Sequence, residues 1–198
     1  AALLRDRRGG TGVNLLPSSV PEDIYRDVAN EFLRLVPHDD MGKKFHAIGA
    51  DRKLTKRPVM TLPYGSTQQS CRDYIREYVG DNHEKFGFTD EGKQHWEAAT
   101  YATPYMWQAI GNVVVAARTG MDWLQECAGI IGKKGIYSRW LSPADFPVYQ
   151  HYCEHDNIRV TTDLFGRVQL NLEGAQTDLN VRRARNGIAP NFVHALDS

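Results

Sequence analysis

Residues 51–66 read Asp-Arg-Lys-Leu-Thr-Lys-Arg-Pro-Val-Met-Thr-Leu-Pro-Tyr-Gly-Ser, and the way this stretch folds decides what the rest of the chain builds around it. On a helix Arg52 and Lys56 stand one turn apart on one face, with Met60 and Tyr64 drifting round from it. Two cations at that spacing can grip a triphosphate, arginine through its planar fork and lysine as a point charge. Tyr64 followed by Gly65 sets an aromatic ring at the end of the same element, where a base or sugar can stack. On charge alone the same residues describe a solvated basic face. Local propensity also opposes one long helix: Pro58 and Pro63 remove backbone donors and crowd preceding carbonyls. Sequence rules alone end the helix near Arg57 and make residues 62–66 a turn.

The surrounding composition is that of a globular domain: 198 residues, 41% hydrophobic and 24% charged, with 24 Lys+Arg against 24 Asp+Glu. Disorder, collagen-like repeats and a disulfide scaffold are excluded on these grounds. Zero net charge speaks against a generic polyanion binder, yet the sum averages an acidic stretch at 80–97 with basic clusters at 52–57 and 182–185. Three scattered cysteines, Cys71, Cys127 and Cys153, point to a reducing compartment. No stretch approaches the roughly 18 apolar residues of a membrane span, and no signal peptide opens the chain, so a cytoplasmic location is expected, that of a host cell if the source is viral. The chain opens at Ala1 without an initiator Met, which reads as an excerpt.

Residues 21–36 read as a helix, with Pro21-Glu22-Asp23 in its first turn, Ile24, Val28, Phe32 and Leu35 on one face, and Pro37 as the stop. Residues 105–131 read as a longer helix with Ile110, Val114, Ala117, Met121, Leu124, Ala128 and Ile131 facing inward; the Met, Trp and aromatic positions of 105–124 read as core. The 80–97 stretch should be exposed. Residues 136–172, rich in β-branched and aromatic side chains, favour strands. Helices followed by strands give an α+β fold, mainly helical.

Residues 158–172 alternate as a hairpin. Ile158, Val160, Val168, Leu170 and Leu172 fall on one face, and Arg159, Thr161, Arg167, Gln169 and Asn171 on the other. Asp163 and Gly166 supply turn chemistry. The polar face carries no Glu or Lys; Arg, Gln, Asn and Thr are the side chains that hydrogen-bond base edges in a major groove, which is wide enough for a two-stranded ribbon. An ordinary solvated strand face would also be polar.

Arg52-x-x-x-Lys56 followed after seven residues by Tyr64-Gly65 resembles the fingers-helix motif of right-hand nucleic-acid polymerases. The wider string from Leu54 to Ser66 is similar to one branch, the bacteriophage-type single-subunit DNA-directed RNA polymerases. Leu3-Leu4-Arg5-Asp6, Gly9-Gly10-x-x-Val13-Asn14-Leu15-Leu16-Pro17 and Asp23-Ile24-Tyr25 follow that family's order. So do Trp140-Leu141-Ser142-Pro143-x-x-Phe146-Pro147-Val148, with Asp145 where Gly is usual, and Gly187-Ile188-Ala189-Pro190-Asn191-Phe192-Val193-His194.

The resemblance implies a fingers and palm portion of a right-hand polymerase with a protruding β-hairpin: fingers and an adjoining palm helix over 1–135, including the nucleotide-binding helix 52–65, then palm-proximal strands over 136–198. It implies that Arg52 and Lys56 neutralise the triphosphate of an incoming NTP, that Tyr64 distinguishes ribose from deoxyribose, and that Gly65 allows close approach. His194 is implied at the RNA–DNA hybrid and the nucleotide ribose, as a catalytic residue beside Lys56 and Tyr64, and helix 52–65 then runs on to about Tyr64, with a kink near Pro58 or a tightening near Pro63. Hairpin 158–172 coincides with the family's specificity loop, whose base-reading positions fall on Arg159, Thr161, Gln169 and Asn171.

The partners so implied are a DNA template and promoter, an RNA transcript and NTPs, with no membrane and the full-length enzyme a monomer. The family uses two metal ions, taken as Mg2+, held by two aspartates. These are expected shortly before Ala1 and shortly after Ser198, so this chain carries no metal ligand and is expected to be inactive alone. Rival readings are a DNA polymerase of the related right-hand family and a non-catalytic nucleic-acid-binding module.

His151-x-Cys153-x-His155 lacks paired zinc spacing and reads as incidental surface. Gly9-Gly10-Thr11-Gly12 and Gly132-Lys133-Lys134 match neither dinucleotide nor Walker loops and read as turns. Arg182-Arg183-x-Arg185 is either a solvated loop or a contact to nucleic-acid phosphates.

Overall fold

Acid and hydroxyl side chains set the starts of four helices. The computed structural model describes residues 1–89, 92–163 and 166–197. Asp23, Asp39, Asp51 and Thr67 each hold extended backbone and accept a hydrogen bond from a first-turn amide, those of Tyr25, Gly42, Leu54 and Ser70. Each satisfies one of the amides that a helix start leaves without an intrahelical partner. The helices they open are α2 (Ile24–Leu35), α3 (Asp40–Ile48), α4 (Arg52–Thr61) and α5 (Gln68–Asp81). Before them stands α1 (Arg7–Gly12), and after them α6 (His83–Phe86), α7 (Lys93–Val113) and α8 (Val115–Lys133). The chain continues through β1 (Ser138–Leu141), β2 (Pro147–Gln150), β3 (Cys153–Thr162), β4 (Val168–Leu179) and α9 (Val181–Asp197). The described residues are mainly helical with two antiparallel hairpins, β1–β2 and β3–β4, in keeping with the expected α+β class. They divide into two compact units, 1–121 and 122–198.

In the first unit α2, α4, α5 and α7 pack against one another. Val28 and Phe32 of α2, Leu54 of α4, Ile75 and Val79 of α5 and Met106 and Ile110 of α7 are fully buried. Ala98, Ala99, Ala102 and Ala109 are fully buried too, and their small side chains let α7 approach its neighbours closely. Phe45 of α3 meets Phe32 edge-on at 5.7 Å and Phe86 at 5.1 Å; such pairs add about 0.5–1.5 kcal/mol each beyond burial. Glu31 ties α2 to α7. Its carboxylate accepts two bonds from Arg34, both 2.7 Å, and one of 2.6 Å from Asn112 Nδ2, and these bonds hold its pKa down to about 2.

α2 starts at Ile24, not with Pro21 in its first turn. Asn14 donates to the Glu22 carbonyl at 2.8 Å and accepts the Glu22 amide at 2.9 Å, which holds that residue outside the helix, while Asp23 serves as the cap. The expected helix 105–131 is two helices. Val114 leaves helical backbone (φ −101°, ψ 54°), and α7 begins as early as Lys93. The run Val113-Val114-Val115 crowds the preceding turn with stiff branched side chains. Within 80–97, Phe86, Phe88 and His95 are buried rather than exposed, while Asp90 and Glu91 lie outside the described residues. Trp123, read as core, is 62% exposed. The glycines at 9–12 lie within α1 rather than in a turn, and Arg182, Arg183 and Arg185 lie on α9 rather than in a loop.

In the second unit the β1–β2 connection is closed by bonds between Ser142 and Phe146. Asp145 has φ 59°. That is the left-handed region, which aspartate tolerates better than most side chains. The β3–β4 hairpin is longer than the expected 158–172, running from Cys153 to Leu179 with register shifts around His155. Its apolar residues stay half-exposed, from 37% at Val160 to 51% at Ile158. Asp163 and Gly166 (φ 93°) flank its tip; Leu164 and Phe165, the centre of the expected turn, lie outside the described residues.

Candidate nucleotide and nucleic-acid site

α4 buries Leu54, Thr55, Pro58 and Val59 and exposes Arg52, Lys56 and Met60. Pro58 therefore sits on the packed side, and the helix runs past it to Thr61. A 3-10 turn at Leu62–Tyr64 follows, with Pro63 in its first turn and Gly65 at φ 79°. This is the tightening expected near Pro63; Arg57 is not the helix end that propensity alone gives. Tyr64 is 42% exposed, so Arg52, Lys56, Met60 and Tyr64 form an exposed stripe.

Neighbouring helices hold α4 in place. Thr55 is fully buried and its hydroxyl donates to the Tyr25 carbonyl at 2.9 Å, fastening α4 to α2. Arg57 turns toward α5, pairing with Glu77 and lying 4.7 Å over the Tyr74 ring. It is thereby separated in role from Arg52 and Lys56. Arg52 itself meets Asp23, Nε to Oδ2 3.4 Å, and lies 5.0 Å over Tyr25. Sequence reasoning missed Asp23 and Tyr25 as partners; their only signal was the Asp23-Ile24-Tyr25 string itself.

In the second unit the four hairpin residues singled out from sequence form two directly opposed pairs, Arg159 with Asn171 and Thr161 with Gln169. All four are exposed. Ile158–Leu172, Val160–Leu170 and Thr162–Val168 take the alternate register positions, so the expected division of faces holds. His194 is exposed on α9. That helix is seated by Gln150, whose Nε2 donates to the Ala184 carbonyl at 2.7 Å, and by Asn191, whose Nδ2 donates to the Tyr152 hydroxyl at 3.2 Å. A Cβ at Gly187 would lie 2.8 Å from the Tyr152 ring, so any larger residue there must displace that side chain. Trp140 packs 6.2 Å from Phe192, joining the two sequence strings quoted for this half of the chain. The structure thus gathers Arg52, Lys56, Tyr64 and Gly65 in one unit and the hairpin residues with His194 in the other.

Cys153, expected on the surface, is buried. Its sulfur lies 3.4 Å from the Tyr137 hydroxyl and 3.6 Å from His151 Nε2. The contact with Cys153 raises the Tyr137 pKa above its ordinary value. Among the described residues no group of three or more His, Cys, Asp or Glu side chains is placed to hold a metal ion.

The whole chain, residues 1–198, matches the DNA-dependent RNA polymerase family, and the protein belongs to it. Within that family its relatives are the single-subunit, phage-type enzymes. It is 30% identical to a DNA-directed RNA polymerase of Enterobacteria phage K11, aligning over all of this chain and 27% of the relative. It is 33% identical to that of Pseudomonas phage phiKMV, over all of this chain and 25% of the relative. Against DNA-directed RNA polymerase 2A of Nicotiana tabacum the identity is 35%, over all of this chain and 60% of the relative. The chain spans about a quarter of the length of the phage relatives.

Proposed function

We propose that this chain supplies the nucleotide grip and the promoter-reading hairpin of a DNA-directed RNA polymerase, and that the whole enzyme transfers nucleoside monophosphates from NTPs to a growing RNA on a DNA template. The observation that carries this reading is the exposed stripe Arg52–Lys56–Met60–Tyr64, anchored from behind by Thr55 and Pro58, in a chain that matches the polymerase family throughout.

Arg52 and Lys56 neutralise the triphosphate through charge-assisted hydrogen bonds. Tyr64 lies against the sugar and base and discriminates ribose from deoxyribose; Gly65 in left-handed backbone lets the chain turn away beneath the nucleotide. His194 contacts the RNA–DNA hybrid. On the hairpin, Arg159, Thr161, Gln169 and Asn171 read base edges in the promoter major groove, arginine favouring guanine and the amides adenine. In this reading residues 1–135 belong to the fingers with an adjoining palm helix, residues 136–198 lie beside the palm, and the complete polymerase acts as a monomer. Divalent ions, read as Mg2+, would be held in the whole polymerase by residues other than those described above, and would there supply electrostatic stabilisation for the transfer. No described helix is long and apolar enough to cross a membrane.

Promoter selection tests the hairpin assignment. In the complete polymerase, Arg159→Ala or Gln169→Ala is expected to change the preferred promoter while elongation from a preassembled RNA–DNA scaffold continues at the unsubstituted rate. Equal loss of initiation and elongation would remove the reading role.

A further inference from the structure

Arginine carries five N–H donors in a rigid fork, and the stem-side donor, Nε, can be engaged while the outer nitrogens remain available. Arg52 is held in this manner. Its Nε faces Oδ2 of Asp23 at 3.4 Å, the guanidinium lies 5.0 Å over the Tyr25 ring, and the side chain remains 60% exposed. The other oxygen of the same carboxylate, Oδ1, accepts the Tyr25 amide at 3.1 Å and so caps α2. The Tyr25 carbonyl in turn receives the hydroxyl of buried Thr55, on the same helix as Arg52. One carboxylate therefore couples the start of α2 to the orientation of an arginine on α4.

We propose that Asp23 is a positioning residue for nucleotide binding: it holds Arg52 by Nε so that the outer guanidinium nitrogens stand beside Lys56, ready for a triphosphate. The inference rests on the nucleotide-grip reading given above. An unrestrained arginine loses much rotamer freedom when it engages a ligand; an ion pair on its stem side and a ring beneath its plane remove part of that loss beforehand. The negative charge of Asp23 would repel a triphosphate placed against it. Its location on the Nε side, at the cap of α2, leaves the outer edge of the fork to the ligand.

The test is steady-state NTP incorporation by the complete polymerase carrying this chain. Asp23→Asn keeps a capping oxygen for α2, since asparagine caps about as well as aspartate, and removes the charge that holds Arg52. The apparent KM for NTP is expected to rise about two- to fivefold, the size of an exposed ion pair converted to affinity, with kcat at saturating NTP little changed. In an Arg52→Ala background, where KM is already raised, the same substitution is expected to add nothing. Tyr25→Leu removes the ring while sparing the cap, should Asp23→Asn yield too little protein, and is expected to raise KM in the same direction. If Arg52→Ala raises KM while Asp23→Asn and Tyr25→Leu leave it unchanged or lower it, the positioning role is wrong and the grip reading stands. If Arg52→Ala and Lys56→Ala both leave KM unchanged, both fail.

Discussion

Replacing Glu31 by glutamine removes a charge from the junction of α2 and α7 without changing its shape. Three bonds depend on that charge: two from Arg34 at 2.7 Å and one from Asn112 at 2.6 Å. Hydrogen bonds to a charged group contribute about 1.5–3 kcal/mol. Arg34 is 67% exposed, which screens its share, so the net cost of Glu31→Gln is about 1–2 kcal/mol at pH 7. For a chain of this size that is a fall in Tm of roughly 3–6 °C. The sign of the pH dependence follows from the depressed carboxyl, which shifts from its ordinary 4.5 to about 2 in the folded chain. A group depressed in this way stabilises the fold above its unfolded value, and the benefit fades as pH falls from about 4.5 toward about 2. The difference between wild type and variant, followed by urea unfolding with circular dichroism, should shrink to under about half of its neutral value by pH 3. A difference that is equal at pH 7 and pH 3, or absent at pH 7, would refute an ionised Glu31 as the tie between the two helices.

Three further outcomes are expected. Tyr64→Phe in the complete polymerase lowers the preference for ribonucleotides over deoxyribonucleotides, measured as the ratio of kcat/KM values; an unchanged ratio would sink the sugar-sensing role. Gly42→Ala drives a Cβ into the Pro37 carbonyl oxygen and to 2.9 Å from the Tyr101 hydroxyl, so the start of α3 must shift at a cost of about 1–3 kcal/mol, visible in the denaturation midpoint. Asp145→Val forces a branched side chain into backbone at φ 59° and is expected to cost about 1–2 kcal/mol, whereas Asp145→Gly leaves the unfolding free energy within about 0.5 kcal/mol.

What could be read from the sequence follows the range of the interactions involved. α2 was legible because apolar spacing and a following proline are local signals. The division of faces on the hairpin was legible because strand alternation needs no partner. The end of α4 was not: Pro58 argues for a stop at Arg57, yet packing of Leu54, Thr55 and Val59 carries the helix past it. The break at Val114 was hidden by apolar spacing that continues across it, although three consecutive valines were a steric hint. α9 was missed because arginines in the first turn of a helix and an internal Pro190 both run against helix rules. Tertiary bonds from Gln150 and Asn191 offset them. For the candidate site, the stripe on α4 was legible from spacing. The grip on Arg52 was not, since Asp23 lies far from it in sequence and its visible role is that of a cap.

The β3–β4 hairpin has one more consequence. It is a two-stranded sheet, so both strands are edges, and its apolar residues are half in water. Strands of this kind stay monomeric chiefly because charged and polar side chains discourage pairing with another chain. In the proposed reading those same side chains choose the promoter. Exchanging Arg159, Thr161, Gln169 and Asn171 together for apolar residues would therefore leave residues 158–162 and 168–172 apolar on both faces and prone to self-association. In that reading solubility, as well as base recognition, would constrain the side chains the hairpin can carry.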